Sequence, residues 1–259
     1  MEKINLNNIT FCIPVRIESF YRKRNLMILL KYLGQHIDAN YIIVEADNVQ
    51  RLPEIMDIAN LNYIFIQDND PIFHRTKYIN QMLNLAKTPH AAIWDTDAIA
   101  DIAQIQQAYD MLVENKAVMV YPFSGTFYDV NEYMSDFFCQ SLDIEKLKCQ
   151  GISKNLMNGY YSVGGAYMVN IKSYKEAGGE NEYFYGWGPE DAERIARLQI
   201  LEQKVERIDG ALYHLFHTRG YNSYYANIDT AIQTREEFCK VCGMTTNELK
   251  NYIKSWEWI

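Results

Sequence analysis

Apolar runs bounded by turn or charge signals alternate, through the first hundred positions, with segments whose apolar residues fall at helical spacing. Ile9-Thr10-Phe11-Cys12-Ile13-Pro14-Val15 reads as a first strand. From 18 to 35, Phe20, Leu26, residues 28–30 and Leu33 mark a helix with Gly34 near its end. Tyr41-Ile42-Ile43-Val44-Glu45 and Asn62-Tyr63-Ile64-Phe65-Ile66 read as strands, the first ending in an acid. Residues 75–87 are helical, with Ile79, Met82, Leu83 and Ala86 at core spacing and Pro89 as the stop. Ala91-Ala92-Ile93-Trp94 is an apolar run held between Pro89 and acid, the pattern of a strand buried on both faces. Strands alternating with helices predict βαβ units, a largely parallel sheet and an α/β fold.

The second half is less regular. A helix over 101–115, a strand over 117–121, short helices around 132–141 and a strand over 162–170, opened by Gly164-Gly165, are expected. A helix over 190–201 follows a Gly/Trp-rich loop, and 211–216 is extended. The tail from 224 reads as two helices broken at Gly243, with Thr245 and Glu248 spaced as a capping box. No Gly-x-Gly-x-x-Gly follows the first strand and no P-loop is present, which argues against a dinucleotide-binding domain. No repeat or linker marks a second domain.

Composition narrows the function classes. The 259 residues are 48% hydrophobic and 22% charged, the balance of a soluble globular protein, and the net charge of −8 argues against a nucleic-acid partner. No apolar run reaches the roughly 20 residues of a membrane span, and Met1-Glu2-Lys3-Ile4-Asn5 does not open a signal peptide. Five cysteines, an odd number, point to a reducing, cytoplasmic setting. Cys239-Lys240-Val241-Cys242 lacks a second pair for a zinc site and reads as two buried structural thiols. Twenty tyrosines and four tryptophans supply aromatic faces of the kind carbohydrate sites use, although most are expected to be core or surface filler.

Three groups of residues carry candidate chemistry. Asp95-Thr96-Asp97 ends the buried strand where open α/β sheets bind ligands. On an extended chain the two carboxylates would share one side and suit a divalent cation, Mg²⁺ or Mn²⁺, with a diphosphate. With 15 aspartates, roughly one such triplet is expected by chance. A second, Asp68-Asn69-Asp70, precedes Pro71 and reads as a polar loop. Gly186-Trp187-Gly188-Pro189-Glu190-Asp191 is a standard helix start, yet a Trp between glycines adds nothing to a cap and offers a face for a sugar. His214-Leu215-Phe216-His217 is the third. Positions three apart on a straight strand face opposite ways, so both rings reach one ion only if the strand breaks near Phe216, and His217 is the better ligand. Arg22-Lys23-Arg24 reads as the solvated face of the first helix, the alternative being a contact to phosphate. Trp256-Glu257-Trp258 is expected to pack back on the domain, the alternative being a seat on a membrane or partner.

In order, Phe73-His74-Arg75-Thr76-Lys77-Tyr78-Ile79-Asn80, Asp95-Thr96-Asp97, Gly164-Gly165, Tyr185-Gly186-Trp187-Gly188-Pro189-Glu190-Asp191 and His217-Thr218-Arg219 resemble the beta-1,4-galactosyltransferases, as does Ile13-Pro14-Val15-Arg16. The chain is also similar to bacterial chondroitin-polymerase-type domains and to inverting GT-A transferases at large. The resemblance covers about residues 9–220. It implies a GT-A fold over 1–259: a mixed, mostly parallel sheet flanked by helices, with a nucleotide-binding half (1–122), an acceptor and catalytic half (123–221) and C-terminal helices (222–259).

The resemblance also implies roles. Asp97 and His217 hold Mn²⁺ (or Mg²⁺), with His214 where the family has a methionine ligand. Asp95 meets the ribose, and Pro14, Arg16 and Arg75 contact uridine diphosphate. Glu45 ends its strand where related enzymes place an acid against uracil. Asp191 is the catalytic base, with Gly164, Gly165, Trp187, Gly188 and Glu190 around donor sugar and acceptor. Pro189 replaces a family glycine, Ala192 an acid and Glu18 a second arginine, and residues 41–60 look like an added strand and helix.

The implied activity is inverting transfer of a hexose or N-acetylhexosamine, galactose type favoured, from a UDP-sugar to a hydroxyl of a glycan or glycolipid acceptor, in bacterial polysaccharide synthesis. Two rivals stand beside it: a metal-dependent hydrolase of the nucleotide-sugar, and a silent nucleotide- or glycan-binding module.

Overall fold

The computed structural model describes residues 2–52, 59–149, 154–157, 159 and 161–258. In chain order the first half gives β1 (Ile4–Val15), α1 (Phe20–His36), β2 (Ile37–Asp47), β3 (Leu61–Gln67), α2 (Arg75–Leu85) and β4 (His90–Trp94). It continues with β5 (Ala98–Ala100), α3 (Ile102–Val113) and β6 (Met119–Tyr121). The second half gives β7 (Thr126–Val130), α4 (Glu132–Ser141), α5 (Ile144–Lys148), β8 (Lys154–Leu156), β9 (Ala166–Asn170), α6 (Ile171–Glu176) and α7 (Glu190–Ile200). β10 (Val205–Arg207), β11 (Ala211–His214), α8 (Ile228–Cys242) and α9 (Thr246–Ile253) follow. The helix expected between 41 and 60 falls partly on residues 53–58, outside the described residues.

Seven strands form the main sheet in the order β10-β6-β9-β4-β1-β2-β3. β1 runs parallel to β2 and β4, β2 to β3 and β10 to β6, whereas β9 is antiparallel to both neighbours. The sheet is therefore mixed and mostly parallel, and the apolar run before Asp95 is its central strand. All five residues of β4 are buried, as a strand covered on both faces requires. Its neighbour supplies Phe11, whose ring lies 5.6 Å from that of Trp94.

A second sheet of four strands, β5-β11-β7-β8, was not foreseen. Its strands are three to five residues long, too short for alternation to register against the surrounding loops. Its register matters to the chemistry: His214 lies opposite Ala98 on one side and Asp129 on the other. The strand expected over 162–170 begins only at Ala166, and Gly165 sits in the left-handed region (φ 89°) beside Phe127 and Leu212.

The C-terminal helices form as the sequence implies. Thr245 and Glu248 close a capping box at the start of α9, and α7 packs against both α8 and α9. Trp256 is buried, with the Arg197 guanidinium over its ring and Trp258 stacked on it at 5.1 Å. Cys239 and Cys242 correct the expectation of buried thiols. Both lie on the exposed side of α8, whose inward positions are Ala231, Thr234 and Val241. Among the described residues, no helix is long and apolar enough to cross a membrane.

Candidate active site

Asp95, Thr96 and Asp97 do not continue β4. They form a tight turn, closed by the Trp94 indole N–H donating to Ala98 O at 2.7 Å and by Ala98 N–H donating to Asp95 O at 3.3 Å. The expectation of an extended segment is thus corrected, with a chemical consequence. Asp95 turns toward Arg75, whose Nη2 donates to its Oδ1 at 2.7 Å, while Asp97 turns toward the two histidines. Backbone bonds tie the turn to both flanking loops: Asp95 N–H donates to Gly165 O, and Leu215 N–H to Asp97 O, each at 2.8 Å.

β11 ends at His214, so the chain breaks where the sequence required it to if both rings are to meet one ion. His214 Nε2 lies 3.7 Å from Asp97 Oδ1, and His217 Nε2 lies 3.3 Å from Asp97 Oδ2. The opposite ring nitrogens are already committed. His214 Nδ1 donates to Asp129 Oδ1 and His217 Nδ1 to Thr218 O, both at 2.9 Å, because carboxylate and carbonyl oxygens only accept. Each imidazole therefore aims Nε2 at a carboxylate, and a proton or a cation must lie between them. The ligand atoms of Asp97, His214 and His217 lie within 4.8 Å of one another, and the Asp129–His214 bond is the outer partner a metal-binding histidine commonly has. Burial would raise the Asp97 carboxyl, but His214, Arg22 and His217 together hold it below its ordinary value. Burial likewise works against a charged His214, and Asp97 and Asp129 outweigh it.

Asp191 opens α7. Arg194 Nη1 donates to its Oδ1 at 2.7 Å, and Arg194 is in turn fully buried, bidentate to Glu180 at 2.9 and 2.8 Å and stacked 4.1 Å over the Tyr167 ring. Glu180 also accepts from the Tyr167 and Tyr174 hydroxyls. On the other side Gly164 leaves room for Asp191, since a Cβ there would stand 2.7 Å from Asp191 Oδ2. The charge of Asp191 acts on both Asp95 and Arg75, which joins the base candidate to the turn that carries Asp97. Withdrawal from water, with Asp191 beside it, raises the Glu190 carboxyl to about 8. Glu190 Oε2 and Arg75 Nη1 are buried without a partner among the described residues.

The remainder of the motif around Arg75 is architectural. Thr76 donates to Phe184 O, and Asn80 exchanges hydrogen bonds with both backbone groups of Glu180, so α2 holds the 180–184 segment that leads to Trp187. Trp187 is 45% exposed and packs edge-on against Tyr225 at 4.7 Å. It lines one open cleft of about 190 Å³ together with Asp95, Asp97, His214 and His217. The same cleft is lined by Arg22 and Arg219, for which the sequence reading gave no place beside Asp97, and by Met157, Asn222 and Ser223, which it did not single out.

Other residues stand back from this cleft. Pro14 lies within β1 opposite Val44. Arg16 donates to Ala46 O, Asp70 O and Asp68 Oδ2 at 2.7–2.8 Å, so Asp68-Asn69-Asp70 is a loop that anchors an arginine. The Glu45 carboxylate is fully buried and accepts from Arg51 N–H, Leu52 N–H and the Tyr63 hydroxyl. Gly188 lies against Thr234 of α8. Arg22-Lys23-Arg24 is not a solvated face: Arg24 pairs with Asp136 and donates to Phe216 O, and Arg22 reaches into the cleft.

Over residues 145–226 the chain matches a family model described as the N-terminal domain of galactosyltransferase. No curated protein sequence matches it. Among solved structures it is similar to the catalytic domain of Drosophila beta-1,4-galactosyltransferase 7 in complex with xylobiose. Identity is 16% and the TM-score 0.47, over 78% of this chain and 65% of that one, just under two thirds of its length. It is also similar to a mutant of the Drosophila enzyme in complex with manganese, UDP-Gal and xylobiose. There the identity is 15% and the TM-score 0.51, over 83% of this chain and 72% of that one. The chain has the GT-A glycosyltransferase fold and resembles the galactosyltransferase family, with the segment that carries Trp187, Glu190 and Asp191 inside the matched residues.

Proposed function

We propose that the chain is a metal-dependent inverting glycosyltransferase that moves a hexose or N-acetylhexosamine, galactose type favoured, from a UDP-sugar to a hydroxyl of a glycan acceptor. The observation that carries this reading is the meeting, at the carboxyl end of β4, of Asp97, His214 and His217 with Arg75, Asp95 and Asp191.

Asp97, His214 and His217 would hold the cation. One carboxylate and two imidazoles make a softer donor set than Mg²⁺ prefers, which favours a transition ion such as Mn²⁺. When bound, such an ion acts as a Lewis acid on the departing diphosphate.

Asp191 takes the proton of the acceptor hydroxyl while that oxygen attacks the anomeric carbon, and the electron pair of the broken bond leaves on the phosphate oxygen of UDP. Base catalysis of this kind contributes roughly 10²–10⁴-fold. Its geometry rests on Arg194, which fixes one carboxylate oxygen, and on Gly164, which keeps the space beside the other open. Glu190 Oε2 and Arg75 Nη1 supply a buried acid oxygen and a buried donor for sugar hydroxyls, since buried polar atoms are rarely left unpaired. Trp187 offers its exposed ring to sugar.

Asp191→Asn keeps the shape and removes the base, so transfer to acceptor is expected to vanish while UDP binding persists. Turnover at the wild-type rate would overturn the assignment. Release of free sugar without acceptor would instead identify a hydrolase.

A further inference from the structure

Arg22 lies in the first turn of α1, whose cap, Ser19, accepts from the Arg22 N–H at 3.2 Å. Its two basic neighbours are spent elsewhere, Lys23 on Arg51 O and Arg24 on Asp136 and Phe216 O. Arg22 alone of the three lines the cleft, and it does so half-buried. Among the described residues its one ion pair is to Asp97 Oδ2, at 3.7 Å, longer than a direct hydrogen bond. Asp97 is therefore faced from three sides by His214, His217 and Arg22.

A divalent cation on Asp97 neutralises the charge that faces Arg22 and weakens a pairing already as long as 3.7 Å. Once a cation takes Asp97, Arg22 is left beside a second positive charge with no anion of its own. The two repel unless a further negative group enters between them. The cleft then has a cation, Arg22 and, at its exposed rim, Arg219, against Asp95, which is already bound by Arg75.

The other arginine that the sequence resemblance directs at the diphosphate is not free to reach it. Arg16 gives Nε, Nη1 and Nη2 to the chain's own acceptors. Glu18, where the family has a second arginine, accepts from Asn222 Nδ2 at 2.7 Å and fixes the turn at Gly220. Beside the unpartnered Nη1 of Arg75 and Arg219 at the rim, positive charge for a leaving diphosphate is available in the first turn of α1, where Arg22 lines the cleft.

We propose that Arg22 is a diphosphate-binding residue that exchanges Asp97 for the phosphate oxygens of the nucleotide when a divalent cation occupies Asp97, His214 and His217. The inference rests on the nucleotide-sugar reading above. It makes two effects of opposite sign follow from one substitution. Without nucleotide, Arg22 competes with the cation for Asp97, so Arg22→Gln binds Mn²⁺ more tightly than wild type, by about threefold or more. With saturating Mn²⁺, the same variant has lost a charge-assisted hydrogen bond to phosphate and binds UDP about tenfold to a hundredfold more weakly. Uridine, which lacks the diphosphate, binds both alike, and Arg22→Lys recovers part of the UDP affinity.

The experiment is calorimetric titration of wild type, Arg22→Gln and Arg22→Lys with Mn²⁺ alone and with UDP in saturating Mn²⁺, and an NMR titration with uridine. Opposite shifts for Mn²⁺ and UDP, with uridine unchanged, are expected. Wild-type UDP affinity in Arg22→Gln, equal losses for UDP and uridine, or Mn²⁺ affinity that does not rise would each overturn this inference alone. A wild-type chain that binds no UDP overturns the nucleotide-sugar reading and this inference with it.

Discussion

Gly164→Ala isolates the positioning of the proposed base, Asp191, from its chemistry. The new Cβ would stand 2.7 Å from Asp191 Oδ2, where ordinary contact begins at 3.4 Å, so the carboxylate must retreat by a large part of that difference. It cannot do so freely. Its other oxygen is held at 2.7 Å by Arg194, and that guanidinium is clamped at 2.9 and 2.8 Å by Glu180 in a fully buried pair. Misplacement of a reacting group by about 1 Å can cost on the order of 10²-fold, so a tenfold to hundredfold fall in kcat is expected. Asp191 does not line the metal end of the cleft, so Mn²⁺ and UDP affinities should stay within about twofold. Gly164 lies outside the left-handed region and the displaced group is one half-exposed carboxylate, so thermal stability should change by less than about 1 kcal/mol. The assay is steady-state transfer with each UDP-sugar that binds, beside thermal melts. Wild-type kcat in Gly164→Ala would refute the placement of the base, and a large drop in melting temperature would refute the separation of geometry from folding.

The neighbouring glycine should behave in the opposite way. Gly165→Ala forces a side chain into φ 89° and to 2.7–2.8 Å from Phe127 and Leu212, so a stability loss of about 2–4 kcal/mol is expected by denaturant titration. Glu180→Gln leaves Arg194 buried against a neutral partner and should cost roughly 3–5 kcal/mol. Arg194, with the Tyr167 and Tyr174 hydroxyls, holds Glu180 against its burial down to about 2, below its ordinary 4.5. The stability this contributes is complete above pH 4.5 and is lost as pH falls toward 2, so wild type should weaken across that window and Glu180→Gln should show a flatter acid limb.

The elements that carry helical periodicity over two turns or more were legible from sequence: α1, α2, α3, α7 and the two tail helices form within a few residues of the expected bounds. The fully apolar run before Asp95 likewise announced a central strand, because only burial on both faces tolerates it. The second sheet was not legible as a sheet: 211–216 was expected to be extended, but its partner Ala98–Ala100 is only three residues long, shorter than two alternation periods. Buried charge was the other blind spot. Glu180, Glu193, Arg194 and Arg197 are almost fully buried, yet a charged side chain in a helix pattern reads as solvent-facing until its partner is known. Arg22 was read chiefly as solvated surface for the same reason, inside a triplet of cations whose members point to three different acceptors. The signal available for Arg194 was its spacing: three residues after Asp191 it shares a helix face with it.

The proposed cation-dependent nucleotide site is most directly tested by the thermal shift that UDP-sugars produce in wild type and in Asp97→Asn, with and without Mn²⁺. A bound ligand raises the melting temperature by mass action. Wild type should show a UDP-dependent rise that requires Mn²⁺, and Asp97→Asn should show none while folding normally. A rise of equal size without Mn²⁺, or one that survives Asp97→Asn, would contradict the placement of donor and metal around Asp97, His214 and His217.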